Sequence, residues 1–133
     1  MYEGDSLESL IKLIGIDYHE CDAEILKDVK YIEKIMLEAA KAMGATALGH
    51  CFHRFNPHGV SGTVIVAESH LAIHTWPEYR YAAVDFEVCG RKIDPWEGHH
   101  LLLEKLKAKR SSQFETKRGL FDAPPGSMPH KPH

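Results

Sequence analysis

The segment at 67–76, AESHLAIHTW, holds the densest group of reactive side chains in the sequence. Ser69 supplies a hydroxyl nucleophile, the histidines can move protons, and a thiol, Cys89, follows further along the chain. Ser69, His74 and Asp85 could form a hydrolase triad, but triads are recognised by geometry and nothing in this spacing requires one. The same polar side chains could instead cap strand ends and complete hydrogen bonds.

Metal binding is a second chemistry that histidines could support. His70 and His74 are four residues apart, a spacing that brings two ligands to one ion when the segment is a helix. We interpret the segment as a strand, in which four residues span about 13 Å, too far for two ligands of one ion. The other histidines lack partners at a spacing typical of metal sites. We therefore predict no metal.

Composition indicates one globular domain over residues 1–133. Hydrophobic residues make up 44%, charged residues 26%, and the formal net charge is −3. These values exclude wholesale disorder, and the absence of a basic excess argues against a nucleic-acid partner. No apolar run approaches a membrane span, and the acidic N-terminus is unlike a signal peptide. Three cysteines without CxxC spacing favour a reducing cytoplasm over a disulfide framework.

The elements that must position the reactive side chains alternate between strands and helices. After Asp22, apolar residues at gaps of three and four predict one helix that ends near Met43 and Gly44. Asp94 and Pro95 are typical of the start of a second helix. Strands are predicted at 11–20, 46–55, 62–67, 71–76, 81–89 and 111–117.

This order of elements predicts an α+β fold. Two helices cannot cover both faces of a broad sheet, so we expect a two-layer sandwich, a mostly antiparallel sheet with two helices on one face. The other face should meet a partner or a ligand, because apolar sheet faces are rarely left in water. The Pro-rich residues 122–133 are expected to form an extended tail.

A resemblance adds to this interpretation. Residues 59–90, GVSGTVIVAESHLAIHTWPEYRYAAVDFEVCG, resemble the signature region of the prokaryotic S-adenosylmethionine decarboxylases, a pyruvoyl-dependent family that makes its own cofactor. Weaker similarity extends through YHECDAEILKDVKYIE at 18–33 and FHRFNPHGVSG at 52–62. The resemblance implies a cytoplasmic enzyme that decarboxylates the small molecule S-adenosylmethionine for polyamine (spermidine) synthesis. It also implies a homodimer of cleaved protomers.

The family's self-cleavage maps onto Glu68-Ser69. The resemblance implies that the Ser69 hydroxyl attacks the preceding carbonyl and turns the amide into an ester. Elimination of the ester and loss of ammonia then leave a pyruvoyl group, and the chain is divided into 1–68 and 69–133. The pyruvoyl carbonyl forms a Schiff base with the substrate amine and accepts the electrons released when CO2 leaves.

Five further residues match functional positions of the family. Ser61 matches a hydrogen-bonding partner of the processing intermediate, and His74 matches the base that drives elimination. Cys89 matches the acid that reprotonates the substrate's α-carbon. Phe55 matches an aromatic ring that stacks on adenine, and Glu78 a carboxylate that holds the ribose hydroxyls.

Strand alternation sets one geometric expectation for these groups. Ser69 and His74 are five residues apart and would face opposite sides of a straight strand. A bend or bulge near His70, or a contact from a neighbouring strand, must then reconcile them. Glu87 and Cys89 should share a face and lie near each other.

Four positions depart from the usual family pattern. Leu13 replaces a common His, Arg80 replaces a common Gly, and Glu87 and Val88 stand where an aromatic residue and Thr are common. Each alone is compatible with drift. However, a carboxylate at Glu87, beside the proton donor, could hold a cationic side chain such as that of arginine or ornithine.

These departures leave alternatives to S-adenosylmethionine. A decarboxylase of arginine or ornithine from the same fold family is the first, although the retained Phe55 and Glu78 favour the nucleoside substrate. An unprocessed, non-catalytic binding or regulatory paralogue is the second. The intact Glu68, Ser69, His74 and Cys89 argue against it, because a protein without the activity need not keep all four.

Overall fold

A computed structural model describes residues 7–67, 69–90, 92–124 and 127–128. The elements, in chain order, are β1 (Leu7–His19), α1 (Ala23–Lys27), α2 (Val29–Ala42), β2 (Ala47–Arg54), β3 (Val60–Val66), β4 (Ser69–Trp76), a 3₁₀ turn (Pro77–Tyr79), β5 (Tyr81–Val88), α3 (Pro95–Lys105) and β6 (Arg110–Asp122).

The strands form one antiparallel sheet of six, in the order β2-β3-β4-β5-β1-β6. Strands β2 to β5 follow one another as neighbours, whereas β1 lies between β5 and β6. The segments around Ser69 and Cys89 therefore lie on adjacent inner strands. The predicted α+β class and the antiparallel sheet are confirmed.

The core lies between the sheet and the helices. Alternate side chains of the inner strands face the helices and are buried: Ile14, Ile16, Tyr18, Val60, Val64, Val66, Leu71, Ile73, Ala82, Val84, Phe86 and Val88. They pack against the apolar stripe of α2, formed by Ile32, Ile35, Met36, Ala39 and Ala40. Burial contributes about 1.5–3 kcal/mol for each large side chain, so this layer fixes the strand register.

The first predicted helix is divided in two, which corrects the sequence prediction. Asp28 is extended at φ −92° and ψ 98°, and its side chain accepts a hydrogen bond from the Tyr31 N–H at the start of α2. Asp22 caps α1 as predicted. Aspartate competes with the helical backbone for hydrogen bonds, which explains why a second helix begins at Asp28.

The other helix boundaries agree with the sequence. Gly44 follows α2 at φ 86°, the left-handed conformation that favours glycine. The Asp94 side chain accepts the Trp96 N–H at 3.0 Å, and Pro95 is the first residue of α3. Strands β1 and β6 are longer than predicted because they pair with each other along their full lengths. The pairing extends from Leu7 opposite Asp122 to His19 opposite Arg110.

Two predicted features fall partly or wholly outside the described residues. Glu68, on one side of the predicted cleavage site, lies outside them. So does most of the predicted tail at 122–133, although Asp122 belongs to β6 and the Ser127 N–H donates to the Pro124 carbonyl at 3.0 Å. No helix within the described ranges is long and apolar enough to cross a membrane.

The face of the sheet opposite the helices is here called the open face. Its residues are Leu13, Gly15, Asp17, Ser61, Thr63, Ile65, His70, Ala72, His74, Trp76, Tyr81, Ala83, Asp85, Glu87, Phe114, Thr116 and Arg118. Apolar side chains stand exposed on it: Ile65 is 52% exposed and Phe114 is 58% exposed. Phe114 covers Gly15, where a Cβ would collide with its ring.

Candidate active site

Ser69 and Cys89 form the first cluster, here called the serine–cysteine pair. Ser69 begins β4, and Cys89 directly follows β5 on the neighbouring strand. The Cys89 backbone N–H donates a hydrogen bond to Ser69 Oγ at 3.1 Å. This donor favours negative charge on the hydroxyl oxygen and leaves the hydroxyl proton available for removal. The pairing of His70 on β4 with Glu87 on β5 sets the register that brings Ser69 next to Cys89.

Ser61 and His74 form a second contact, on the open face. They are cross-strand partners in β3 and β4, and Ser61 Oγ lies 2.7 Å from His74 Nδ1. A hydroxyl and an imidazole at this distance can exchange a proton, so this pair can supply a base. The sequence resemblance named both residues separately, and the register of the two strands makes them neighbours.

Phe55 and Glu78 lie at the same end of the sheet as Ser61 and His74, where β3 begins and β4 ends. Phe55 is 48% exposed, and its ring meets His53 edge to face at 4.6 Å. Glu78 sits on the 3₁₀ turn that follows β4. We call Phe55, Ser61, His74 and Glu78 the turn-end group. Its members offer an exposed ring, a proton acceptor and a carboxylate.

The structure does not bring the turn-end group to the serine–cysteine pair within one chain. Ser69 and His74 stand five residues apart on β4, which corresponds to about 16 Å of strand. The register with β3 runs unbroken from Ser61↔His74 to Val66↔Ser69. The first of the two expected explanations, a bend or bulge near His70, is therefore absent from the β3–β4 register, and alternation leaves Ser69 and His74 on opposite faces.

Glu87 lies on the open face between two basic side chains. Its Oε1 accepts a hydrogen bond from Arg118 Nη1 at 2.9 Å, and its Oε2 lies 3.3 Å from His70 Nδ1. Only 18% of the Glu87 side chain is exposed. A carboxylate with two such partners has its charge compensated within the chain. Glu87 and Cys89 share a face by alternation, as expected.

The structure shows the surroundings of two of the positions at which this sequence departs from the family pattern. Arg80 has φ 53°, the left-handed region, at the end of the 3₁₀ turn, which explains why glycine is common there. Leu13 lies on β1 between Glu87 and Thr116, and it pairs with both. Leu13 therefore lies on the strand that the contact between Glu87 and Arg118 crosses.

Burial perturbs one side chain near the turn-end group. The Tyr81 hydroxyl donates to Asp17 Oδ1 at 2.5 Å, and the Tyr81 ring stacks on Trp76 with centroids 5.4 Å apart. Burial, followed by the hydrogen bond and the negative charges of Asp17 and Asp85, raises the pKa of Tyr81 to about 12. Tyr81 therefore keeps its proton at neutral pH and acts as a donor.

Sequence reasoning missed three residues of these clusters: His58, His70 and Arg118. His58 lies beside Glu78, and the other two pair with Glu87. No local sequence pattern indicates these residues. Strand pairing brings His70 and Arg118 to Glu87, and the turn between β2 and β3 brings His58 to Glu78. In the parts of the chain that the structure describes, no three His, Cys, Asp or Glu side chains are placed to hold a metal ion.

Comparisons with known proteins find sequence similarity over most of the chain. A family profile described as S-adenosylmethionine decarboxylase matches residues 12–119. The chain is 47% identical over 127 residues to the S-adenosylmethionine decarboxylase proenzyme of Thermotoga maritima, covering 94% of this chain and 98% of that protein. It is 48% identical over 118 residues to the proenzyme of the same description from Acetivibrio thermocellus, covering 89% and 95%.

Structural comparison gives the same result. The crystal structure of the adenosylmethionine decarboxylase from Aquifex aeolicus superposes with a TM-score of 0.80 at 29% sequence identity. The match covers 90% of this chain and 99% of that one. The similarity therefore extends over the sheet and helices as a whole, and not only over the reactive segment.

Proposed function

The chain belongs to the S-adenosylmethionine decarboxylase family, and on this basis we propose that it decarboxylates S-adenosylmethionine for polyamine synthesis after cleaving its own backbone at Glu68-Ser69. The observation that carries the proposal is the hydrogen bond from the Cys89 N–H to Ser69 Oγ. It places the nucleophile of the cleavage beside the backbone of Cys89, the residue whose thiol the later reaction needs.

In the cleavage step, Ser69 Oγ adds to the Glu68 carbonyl carbon and the amide becomes an ester. A base removes the α-proton of residue 69, and the ester oxygen leaves with Glu68 as a carboxylate. Water then replaces the nitrogen of residue 69, which departs as ammonia. The Cys89 N–H at 3.1 Å supports the first step, because it orients Ser69 Oγ and makes removal of the hydroxyl proton easier.

Residue 69 would hold the pyruvoyl group, which would supply a carbonyl able to bind the substrate amine and to accept electrons from the α-carbon when CO2 is lost. The surroundings of Ser69 fit such a group, because a backbone donor and the half-buried Cys89 flank it. Cys89 then delivers a proton to the α-carbon. One positioned donor is enough, since the carbon accepts a single proton.

The turn-end group supports a nucleoside substrate. Phe55 offers an exposed aromatic face for adenine, and the carboxylate of Glu78 can accept hydrogen bonds from ribose hydroxyls. Glu87, the residue that raised arginine and ornithine as alternatives, is already paired with Arg118 and His70. A basic amino acid would have to displace Arg118, so the contacts favour S-adenosylmethionine.

The separation of the two clusters supports a homodimer. A base at His74 cannot reach residue 69 across about 16 Å of the same strand. A second copy, packed open face to open face about a two-fold axis, can bring its turn-end group to the end of the sheet where β4 begins and β5 ends, next to the serine–cysteine pair of the first. The exposed Ile65, Trp76 and Phe114 support this arrangement, because they would be buried by it.

Intact-mass measurement and a CO2-release assay test the proposal together. The purified chain should separate into residues 1–68 and 69–133, with pyruvoyl at the new terminus, and should release CO2 from S-adenosylmethionine. Ser69→Ala should remain one chain of 15.0 kDa and be inactive. Arginine and ornithine serve as parallel substrates. An uncut, inactive wild type would favour a binding protein, and preference for a basic amino acid would overturn the substrate.

A further inference from the structure

The turn between β2 and β3 holds a histidine that no sequence pattern assigned to the site. His58 lies in this turn, three residues after Phe55, and its Nε2 lies 3.5 Å from Glu78 Oε1. The side chain of His58 is 31% exposed, and that of Glu78 is 49% exposed. Among the described residues, His58 is the basic side chain that lies within 4 Å of the Glu78 carboxylate.

The turn itself is held firmly. The Phe55 N–H donates to the Gly59 carbonyl at 2.8 Å, which closes the loop around His58. Gly59 has φ 111°, and a Cβ there would lie 3.2 Å from the Thr75 carbonyl oxygen, so the turn is pressed against the end of β4. Glycine is required at Gly59 on both grounds.

A second set of hydrogen bonds ties the same turn to the helix layer. The Val60 N–H donates to Thr75 Oγ1 at 2.8 Å, and the Thr75 hydroxyl donates to the Leu26 carbonyl at 2.9 Å. Both bonds are buried. The backbone next to His58 is therefore anchored to β4 and α1, which limits movement of the β2–β3 turn relative to the 3₁₀ turn.

We propose that His58 is a positioning residue for substrate recognition: its imidazole holds the Glu78 carboxylate in the orientation that accepts the ribose hydroxyls. Because His58 and Phe55 belong to one closed turn, the same turn fixes the ribose-binding carboxylate relative to the adenine-stacking ring. This inference rests on the proposed function, since it requires an adenosine-bearing substrate. A mobile glutamate would lose conformational entropy on binding that a held one does not lose.

Steady-state kinetics with S-adenosylmethionine test the inference. His58→Ala should raise KM about three- to tenfold, the range of one modest hydrogen bond or ion pair, while kcat and self-cleavage stay within about twofold. His58→Gln retains an N–H donor and should restore KM. His50→Ala is the matched control, because His50 Nε2 lies 3.4 Å from Glu33 in an equivalent pair outside the site.

A second measurement separates positioning from a general effect on the fold. Adenosine and 2′,3′-dideoxyadenosine are compared as competitive inhibitors, and the preference of the wild type for adenosine should shrink in His58→Ala but persist in His50→Ala. Should His58→Ala fail to fold, His58→Leu keeps the bulk without the donor. Unchanged KM, or raised KM with unchanged inhibitor preference, overturns the inference. A wild type inactive on S-adenosylmethionine instead overturns the proposed function.

Discussion

Activity in a mixed dimer provides the sharpest test of how the site is assembled. One copy carries Cys89→Ala, which removes the proposed proton donor, and the other carries Glu78→Ala, which removes the proposed ribose-binding carboxylate. In one chain the serine–cysteine pair and His74 of the turn-end group are separated by about 16 Å of strand, several times the reach of a proton transfer. The proposed dimer therefore predicts that each functional site contains residues from two copies.

The expected magnitude follows from the two-fold symmetry. In a mixed dimer, one site combines both substitutions, and the other combines the unaltered Cys89 of one copy with the unaltered Glu78 of the other. The mixed dimer should have about half of the wild-type turnover per dimer, because one of its two sites is intact. Each variant alone should have near-background activity.

The assay uses two affinity tags on coexpressed copies, so that purification over both tags isolates the mixed dimer. CO2 release from S-adenosylmethionine is then compared with wild type carrying the same tags, and intact mass verifies that both copies are cleaved. A mixed dimer no more active than its parents would refute the shared site. Full activity in a monomer, measured by light scattering, would refute it too.

Three further predictions concern catalysis and stability. Cys89→Ala should retain more self-cleavage than turnover, whereas Ser69→Ala loses both; mass spectrometry and CO2 release measure the two, and equal losses in Cys89→Ala would contradict the assignment. Arg80→Gly should stabilise the fold by about 1 kcal/mol in urea unfolding, because glycine relieves the left-handed backbone at φ 53°. Burial, followed by the charge of His100, lowers the pKa of His99, whose Nδ1 lies 2.8 Å from the Tyr18 hydroxyl. The unfolded chain therefore takes up a proton at a higher pH than the folded chain does. The free energy of unfolding should accordingly decrease as the pH falls below about 6.5. His99→Gln should flatten the decline in Tm between about pH 7 and 5, and an equally steep decline would contradict this origin.

Local signals in the sequence predicted much of the fold. Asp22, Asp94 and Gly44 act through their own backbone neighbours, so the helix ends could be inferred without a structure. The break at Asp28 could not, because an aspartate within an apolar stripe is equally typical of a solvated helix face. The length of β6 was missed because both of its faces are largely exposed, and only pairing with β1 reveals it.

The candidate site was predictable residue by residue but not as an arrangement. The resemblance singled out Ser61 and His74, yet only the β3–β4 register shows that they touch. The same register rules out a bulge that would bring Ser69 to His74. Contacts such as Glu87 with Arg118 join strands that are distant in sequence, so no spacing along the chain could indicate them.

The strand order has a consequence for maturation. A cut before Ser69 assigns β1, β2 and β3 to one piece and β4, β5 and β6 to the other, yet β1 lies between β5 and β6. Strands of the two products therefore alternate in the sheet. Separating the products would break three strand pairings, β3–β4, β5–β1 and β1–β6. Cleavage at this position would therefore remove one covalent link and leave the hydrogen-bonded pairings of the sheet in place.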